Sequence, residues 1–138
     1  MSLHTESKLF KDLKQAIPKA DLVRHEDRIT LGVPDVSYSY QVHGWIELKQ
    51  CEWPANLKAI VPFRNFTPHQ KRLLKRKDNL CGHTFILAWI GHEYLWFLGR
   101  DAYQLGTLTR PQLIQLSVEY TKSLGPWIYR VLTHEYSH

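Results

Sequence analysis

The chain has 138 residues, 43% hydrophobic and 22% charged, with 18 Lys and Arg against 13 Asp and Glu for a formal charge of +5. That length suits one domain with its own core, and two cysteines, Cys51 and Cys81, are too few for a disulfide scaffold. No apolar run approaches the roughly 18 residues of a membrane span and the N-terminus lacks a signal-peptide core, so the expectation is a cytoplasmic protein with no membrane partner, whose basic balance favours nucleic acid.

Residues 6–17 read as a helix: apolar positions 9, 10, 13, 16 and 17 form one stripe, Thr5 is a candidate N-cap, and Pro18 ends the run. Glu6 falls on that same stripe, three, four and seven residues before Leu9, Phe10 and Leu13. Three strand-like pieces follow at about 22–30, 34–41 and 44–50, with a turn expected over Gln41-Val42-His43-Gly44. In the third piece Trp45, Glu47 and Lys49 share one face, because side chains alternate along a strand. Residues 51–66, broken by Pro54 and Pro62, read as irregular. Thr67-Pro68-His69-Gln70 is a helix start with a capping box, and that helix is expected to run to about Asn79. Strands at 83–90 and 94–98 come next, then a helix from about Thr109 to Gly125-Pro126. The fold class expected is mixed α/β (α+β): a single domain over 1–138 with a mixed sheet flanked by helices, a core at about 5–98 and a C-terminal extension at about 99–138.

The chemistry-bearing residues are Asp35, Glu47 and Lys49. Two carboxylates on adjacent strands are what Mg²⁺ takes, together with waters and a substrate phosphate. An ammonium beside them could hold an attacking water or neutralise charge on the phosphate. Glu6 could close such a site from the first helix.

Pro34-Asp35 and Glu47-Leu48-Lys49 resemble the two halves of the signature of the PD-(D/E)xK nuclease superfamily. The element order through residue 90 resembles that family's restriction-endonuclease-like αβββαβ core, with Glu6 at the first-helix acid position. The strings GVPD, GWIELK and TPHQ are similar to the branch of archaeal-type Holliday junction resolvases and virus-type replication–repair nucleases. The resemblance implies a Mg²⁺-dependent endodeoxyribonuclease, with Mn²⁺ able to substitute. Asp35, Glu47, the Leu48 carbonyl and Glu6 would be metal ligands, Lys49 the catalytic lysine, and Gln70 a further site residue. It implies branched DNA as partner, most of all the four-way junction, a homodimer to make paired cuts, and a place in DNA recombination or repair, in a host cytoplasm if the source is a phage. The departures are acids within 24–28, where junction resolvases tend to be basic, and the long stretch 51–66. Residues 99–138 match no part of the family.

The helix at 68–79 carries Lys71, Arg72, Lys75, Arg76 and Lys77, and Lys71, Arg72, Lys75 and Arg76 are expected to track DNA phosphates, with Arg24 and Arg28 as further contacts. Each of these features also has an ordinary reading: a turn aspartate for Asp35, a solvated cross-strand pair for Glu47 and Lys49, a cap for Gln70, a dipole-favoured acid for Glu6, and a solvated face for the cations. Two alternatives to junction resolution follow: an inactive DNA-binding module on the same fold, or a less selective nicking or flap nuclease. His134-Glu135-Tyr136-Ser137-His138 spells the zinc-peptidase string HExxH, and chance is the better explanation in a chain with eight His. Trp89, Trp96 and Phe97 read as core, with a dimer face as the alternative.

Overall fold

The computed structural model describes residues 3–25 and 34–136, with side chains from Ser7 onward. The elements are α1 (Leu3–Ala16), β1 (Asp21–Arg24), β2 (Val36–Tyr40), β3 (Val42–Cys51), α2 (Pro68–Cys81), β4 (Thr84–Ile90), β5 (Glu93–Leu98), a 3-10 helix (Gly99–Gln104), α3 (Arg110–Leu116), β6 (Glu119–Thr121) and α4 (Ile128–Thr133). Among the described residues six strands form one sheet in chain order. Only β3 and β4 run parallel; every other neighbouring pair is antiparallel. A parallel pair cannot be joined by a hairpin, and the segment 52–83, which contains α2, makes the crossover.

Alternation along β3 sorts the molecule into two layers. Ile46 and Leu48 meet Leu9 and Leu13 of α1, Ile17 just beyond it, and Ile128, Val131 and Leu132 of α4. On the other face Ile86, Ala88 and Ile90 of β4 and Leu95 and Phe97 of β5 meet Val61, Phe63 and Phe66 of the crossover, Leu74 of α2 and Leu113 of α3. Leu9, Leu13 and Ile17 are completely buried, each contributing roughly 1.5–3 kcal/mol of apolar burial, which fixes α1 on the first face. Glu47 and Lys49 project to the second face, between the sheet and the layer of α2 and the crossover.

Several boundaries differ from the sequence expectation, each for a local reason. The helix starts at Leu3, so Thr5 lies inside its first turn. The turn between β2 and β3 is Gln41 alone, in the left-handed region at φ 61°, and Tyr40 already pairs with Val42. Gly44 is therefore inside β3. A Cβ there would lie 2.2 Å from the His83 carbonyl and 2.5 Å from the Tyr38 ring, so the position demands close approach, not a bend.

The helix expected to reach Gly125 ends at Leu116. Ser117 is extended, Val118 N–H donates to the Trp96 carbonyl at 2.8 Å, and Glu119–Thr121 adds β6 to the sheet edge. Val118, Tyr120 and Thr121 suit a strand better than a helix, and the free edge of β5 supplies the ladder. The extension thus completes both layers. Trp96 and Phe97 are fully buried, one on each face, which removes them as a dimer surface; Trp89 is half-buried and stacks on Tyr94.

Candidate functional site

Val36 pairs with Ile46 across β2 and β3, so one further step along the register sets Asp35 opposite Glu47 on the second face of the sheet. Asp35 is tied in from three sides. Its carbonyl accepts the His25 N–H at 2.7 Å, its own N–H donates to Glu47 Oε1 at 3.2 Å, and its Oδ2 accepts the Leu48 N–H at 2.8 Å. An extended residue sends its N–H and C=O out on the same side, so the Leu48 carbonyl faces the Asp35 side of β3 as well. Lys49 Nζ lies 3.4 Å from Glu47 Oε2 and donates to the Asn65 carbonyl at 3.1 Å and to Gln70 Oε1 at 3.4 Å. It also sits 4.6 Å from the Phe66 ring centroid. Asp35, the β3 pair Glu47 and Lys49, and Gln70 of α2 thus form one constellation.

Glu47 is only 2% exposed and Lys49 6%. Burial raises the pKa of Glu47 first, and the neighbouring Asp35 carboxylate raises it further against the opposing pull of Lys49. Burial likewise raises Asp35, opposed by the Leu48 N–H and Lys49. Two acids thus share a dry place with one ammonium. That imbalance favours a further cation, and carboxylate and carbonyl oxygens are the hard donors Mg²⁺ or Mn²⁺ takes. Among the described residues no three His, Cys, Asp or Glu side chains gather into a metal-holding group, and the oxygens that meet here belong to two carboxylates and the Leu48 carbonyl.

The second layer supplies the rest. The crossover reverses at Asn65, in the left-handed region at φ 63°, and turns its carbonyl to Lys49. Thr67 then caps α2: its hydroxyl accepts the Gln70 N–H at 3.1 Å while Gln70 Oε1 accepts the Thr67 N–H at 3.0 Å. Gln70 is therefore both cap and site residue. Asn65 and Phe66 were not expected from sequence; the one signal for them was an Asn next to a helix start, a residue that tolerates the left-handed bend. A second unexpected cluster steadies the same segment. Glu93 accepts from Trp53 Nε1 and Arg110 Nη2, each at 2.9 Å, and from the Tyr120 hydroxyl, while the Arg110 guanidinium lies 4.5 Å from the Trp53 ring centroid.

The other expected residues divide. Glu6 lies on α1, and its side chain is outside the described atoms; its neighbour Ser7 accepts from Arg24 Nη1 at 2.7 Å, which brings the start of α1 to the Asp35 end of the sheet. Arg24 also acts on the Asp35 charge. Arg28, Glu26 and Asp27 lie outside the described residues. Lys71 does not share the outward face of Arg72, Lys75 and Arg76. Its Nζ donates to the Leu105 carbonyl at 2.7 Å and lies 5.3 Å from the Phe66 ring centroid, and burial and the Lys49 ammonium lower its pKa. The described part of the HExxH string, His134–Tyr136, is not helical: α4 ends at Thr133, His134 is extended, and Glu135 lies 3.2 Å from His83 Nε2, so the helical turn that a zinc site needs does not form there.

No family model matches the chain, and no curated protein matches it. Among the described residues, no helix is long and apolar enough to cross a membrane.

Proposed function

We propose that the chain is a Mg²⁺-dependent, structure-selective DNA endonuclease on a restriction-endonuclease-like αβββαβ core, of the PD-(D/E)xK kind, with the four-way junction as its leading substrate. The observation that carries the reading is Asp35 facing Glu47 across β2 and β3 with the Lys49 ammonium 3.4 Å from Glu47. The sheet order from β1 to β5, with α2 as the crossover, supports the fold assignment. Asp35, Glu47 and the Leu48 carbonyl would hold the cation, with Glu6 at the edge. When bound, Mg²⁺ or Mn²⁺ polarises a phosphodiester and acidifies water. Lys49 brings a fixed positive charge to the scissile phosphate, and Asn65 and Gln70 fix the direction of that ammonium without neutralising it. Arg72, Lys75 and Arg76 carry DNA phosphates along α2.

One observation favours a second reading, an inactive DNA-binding module: Phe66 and Asn65 close over Lys49 and leave it 6% exposed. Labelled four-way junction, flap, linear duplex and single strand, each incubated with Mg²⁺ or EDTA, separate the readings. The nuclease cuts with Mg²⁺ only, prefers the junction, and loses at least about 100-fold in rate with Asp35→Ala or Lys49→Ala while DNA binding in EDTA persists. A preference for the flap makes it the less selective enzyme. Wild-type protein that binds all four and cuts none is the binding module.

A further inference from the structure

Outside the carboxylate site, α2 and the 3-10 helix enclose an open groove of about 440 Å³, lined by Arg72, Lys75, Arg76, Asn79, Leu80 and Tyr103. Positions 72, 75, 76 and 79 share one helix face. Among the described residues no acid lines the groove, and no carboxylate pairs with Arg72, Lys75 or Arg76. Two apolar groups stand in this cationic setting: Tyr103 is 46% exposed and Leu80 72%. Lys75 Nζ lies 5.5 Å from the Tyr103 ring centroid.

Cations alone suffice to follow the phosphates of a duplex, whose bases are stacked inside and offer no face. An exposed aromatic ring and an aliphatic side chain between those cations match a different ligand, one that presents charge and a bare base together. Asn79 adds both a donor and an acceptor for a base edge. The groove is also near the candidate site, on the other side of the same helix. Gln70, which touches Lys49, lies two residues before Arg72 and nine before Asn79, about 3 and 13 Å along the axis, so the groove starts level with the candidate site and runs along the face of α2 opposite Gln70.

We infer that this groove binds an unpaired DNA strand, with one base stacked on Tyr103 and its flanking phosphates on Arg72 and Arg76. The inference rests on the nuclease reading only for its role, which is to select junctions or flaps that carry a single-stranded arm beside the cut. Binding itself is tested without cleavage.

In EDTA, fluorescence anisotropy compares a 12-nucleotide single strand, a blunt duplex and the same duplex with a single-stranded tail, the tail carrying 2-aminopurine. Tailed duplex is expected to bind about tenfold more tightly than blunt duplex, with quenching of the 2-aminopurine. Tyr103→Ala removes the preference and the quenching, Tyr103→Phe keeps both, and Arg72→Ala with Arg76→Ala weakens every DNA. Equal binding of tailed and blunt duplex, or a Tyr103→Ala protein that still prefers the tail, overturns the inference. A tail preference in a protein that cuts nothing with Mg²⁺ leaves the groove standing and removes the nuclease reading, so the two failures are distinct.

Discussion

Gln70 Oε1 serves two donors at once, the Thr67 N–H at 3.0 Å and the Lys49 ammonium at 3.4 Å. The residue that starts α2 is the residue that orients the lysine. Removing it with Gln70→Ala should cost about 1 kcal/mol through the lost cap. It should also slow Mg²⁺-dependent cleavage about tenfold by releasing Lys49. Gln70→Glu keeps both acceptor roles and should recover the urea midpoint. A Gln70→Ala protein that is less stable yet cuts at the wild-type rate would reduce Gln70 to a cap.

The buried acids give stability a pH signature. Glu47 is raised to about 8 and Asp35 is raised in the same direction, so the folded protein without metal holds protons that the unfolded chain has released. Its stability therefore falls as pH rises from the ordinary carboxylate range, roughly 4, up through about 8, and levels off above. Urea midpoints measured in EDTA across this range should show that slope, and Glu47→Gln should flatten most of it. Mg²⁺ should stabilise wild type, most at the alkaline end, and leave Glu47→Gln nearly unmoved. A midpoint that climbs with pH in EDTA contradicts the assigned directions.

Glu93 holds the crossover in place through Trp53 and Arg110. Glu93→Ala leaves those donors without their acceptor. It should destabilise by about 1–3 kcal/mol and open residues 52–66 to limited proteolysis. Because Asn65 and Phe66 belong to that segment, Lys49 loses its cover and cleavage should change with it. Proteolysis no faster than in wild type would show that the apolar contacts of Val61, Phe63 and Phe66 suffice.

Gly44→Ala tests the close approach of β3 to the β4 start. The new methyl meets the His83 carbonyl and the Tyr38 ring, and Tyr38 is itself pinned by donating to the Leu132 carbonyl at 2.8 Å. A loss of about 3 kcal/mol or more is expected from chemical denaturation. Gln41→Gly, at φ 61°, should go the other way and leave stability unchanged or slightly higher.

Salt dependence separates the cations on α2. Arg72→Ala and Lys75→Ala should each lower the slope of log affinity against log salt by about one for duplex DNA. Lys71→Ala should leave that slope closer to wild type, because Lys71 is held by the Leu105 carbonyl and Phe66. Equal loss at all three would mean that Lys71 leaves its pocket on binding DNA.

Local patterns are legible in the residues themselves. The apolar stripe at 9, 13 and 17, the alternation in 45–49 and the Thr67–Gln70 capping box each depend on neighbours within a few residues, and each forms. The capping box at Thr109 forms too, but the helix behind it stops at Leu116. What stops it is an open strand edge on β5, which no local window contains.

From residues alone came the mixed α/β class, the order of the first seven elements, and Asp35, Glu47 and Lys49 as candidates, because side-chain periodicity and helix caps are short-range effects; Gln70 read as a cap, and its place beside them was implied only by the family resemblance. Tertiary structure alone decided that Asp35 stands opposite Glu47, that Asn65 and Phe66 close over Lys49, that Lys71 turns inward, and that Tyr103 joins the basic face of α2. Those relations join residues a dozen or more positions apart. They arise when strands pair and layers bury apolar surface, and the same burial that packs the crossover over Lys49 raises the pKa values of the two acids.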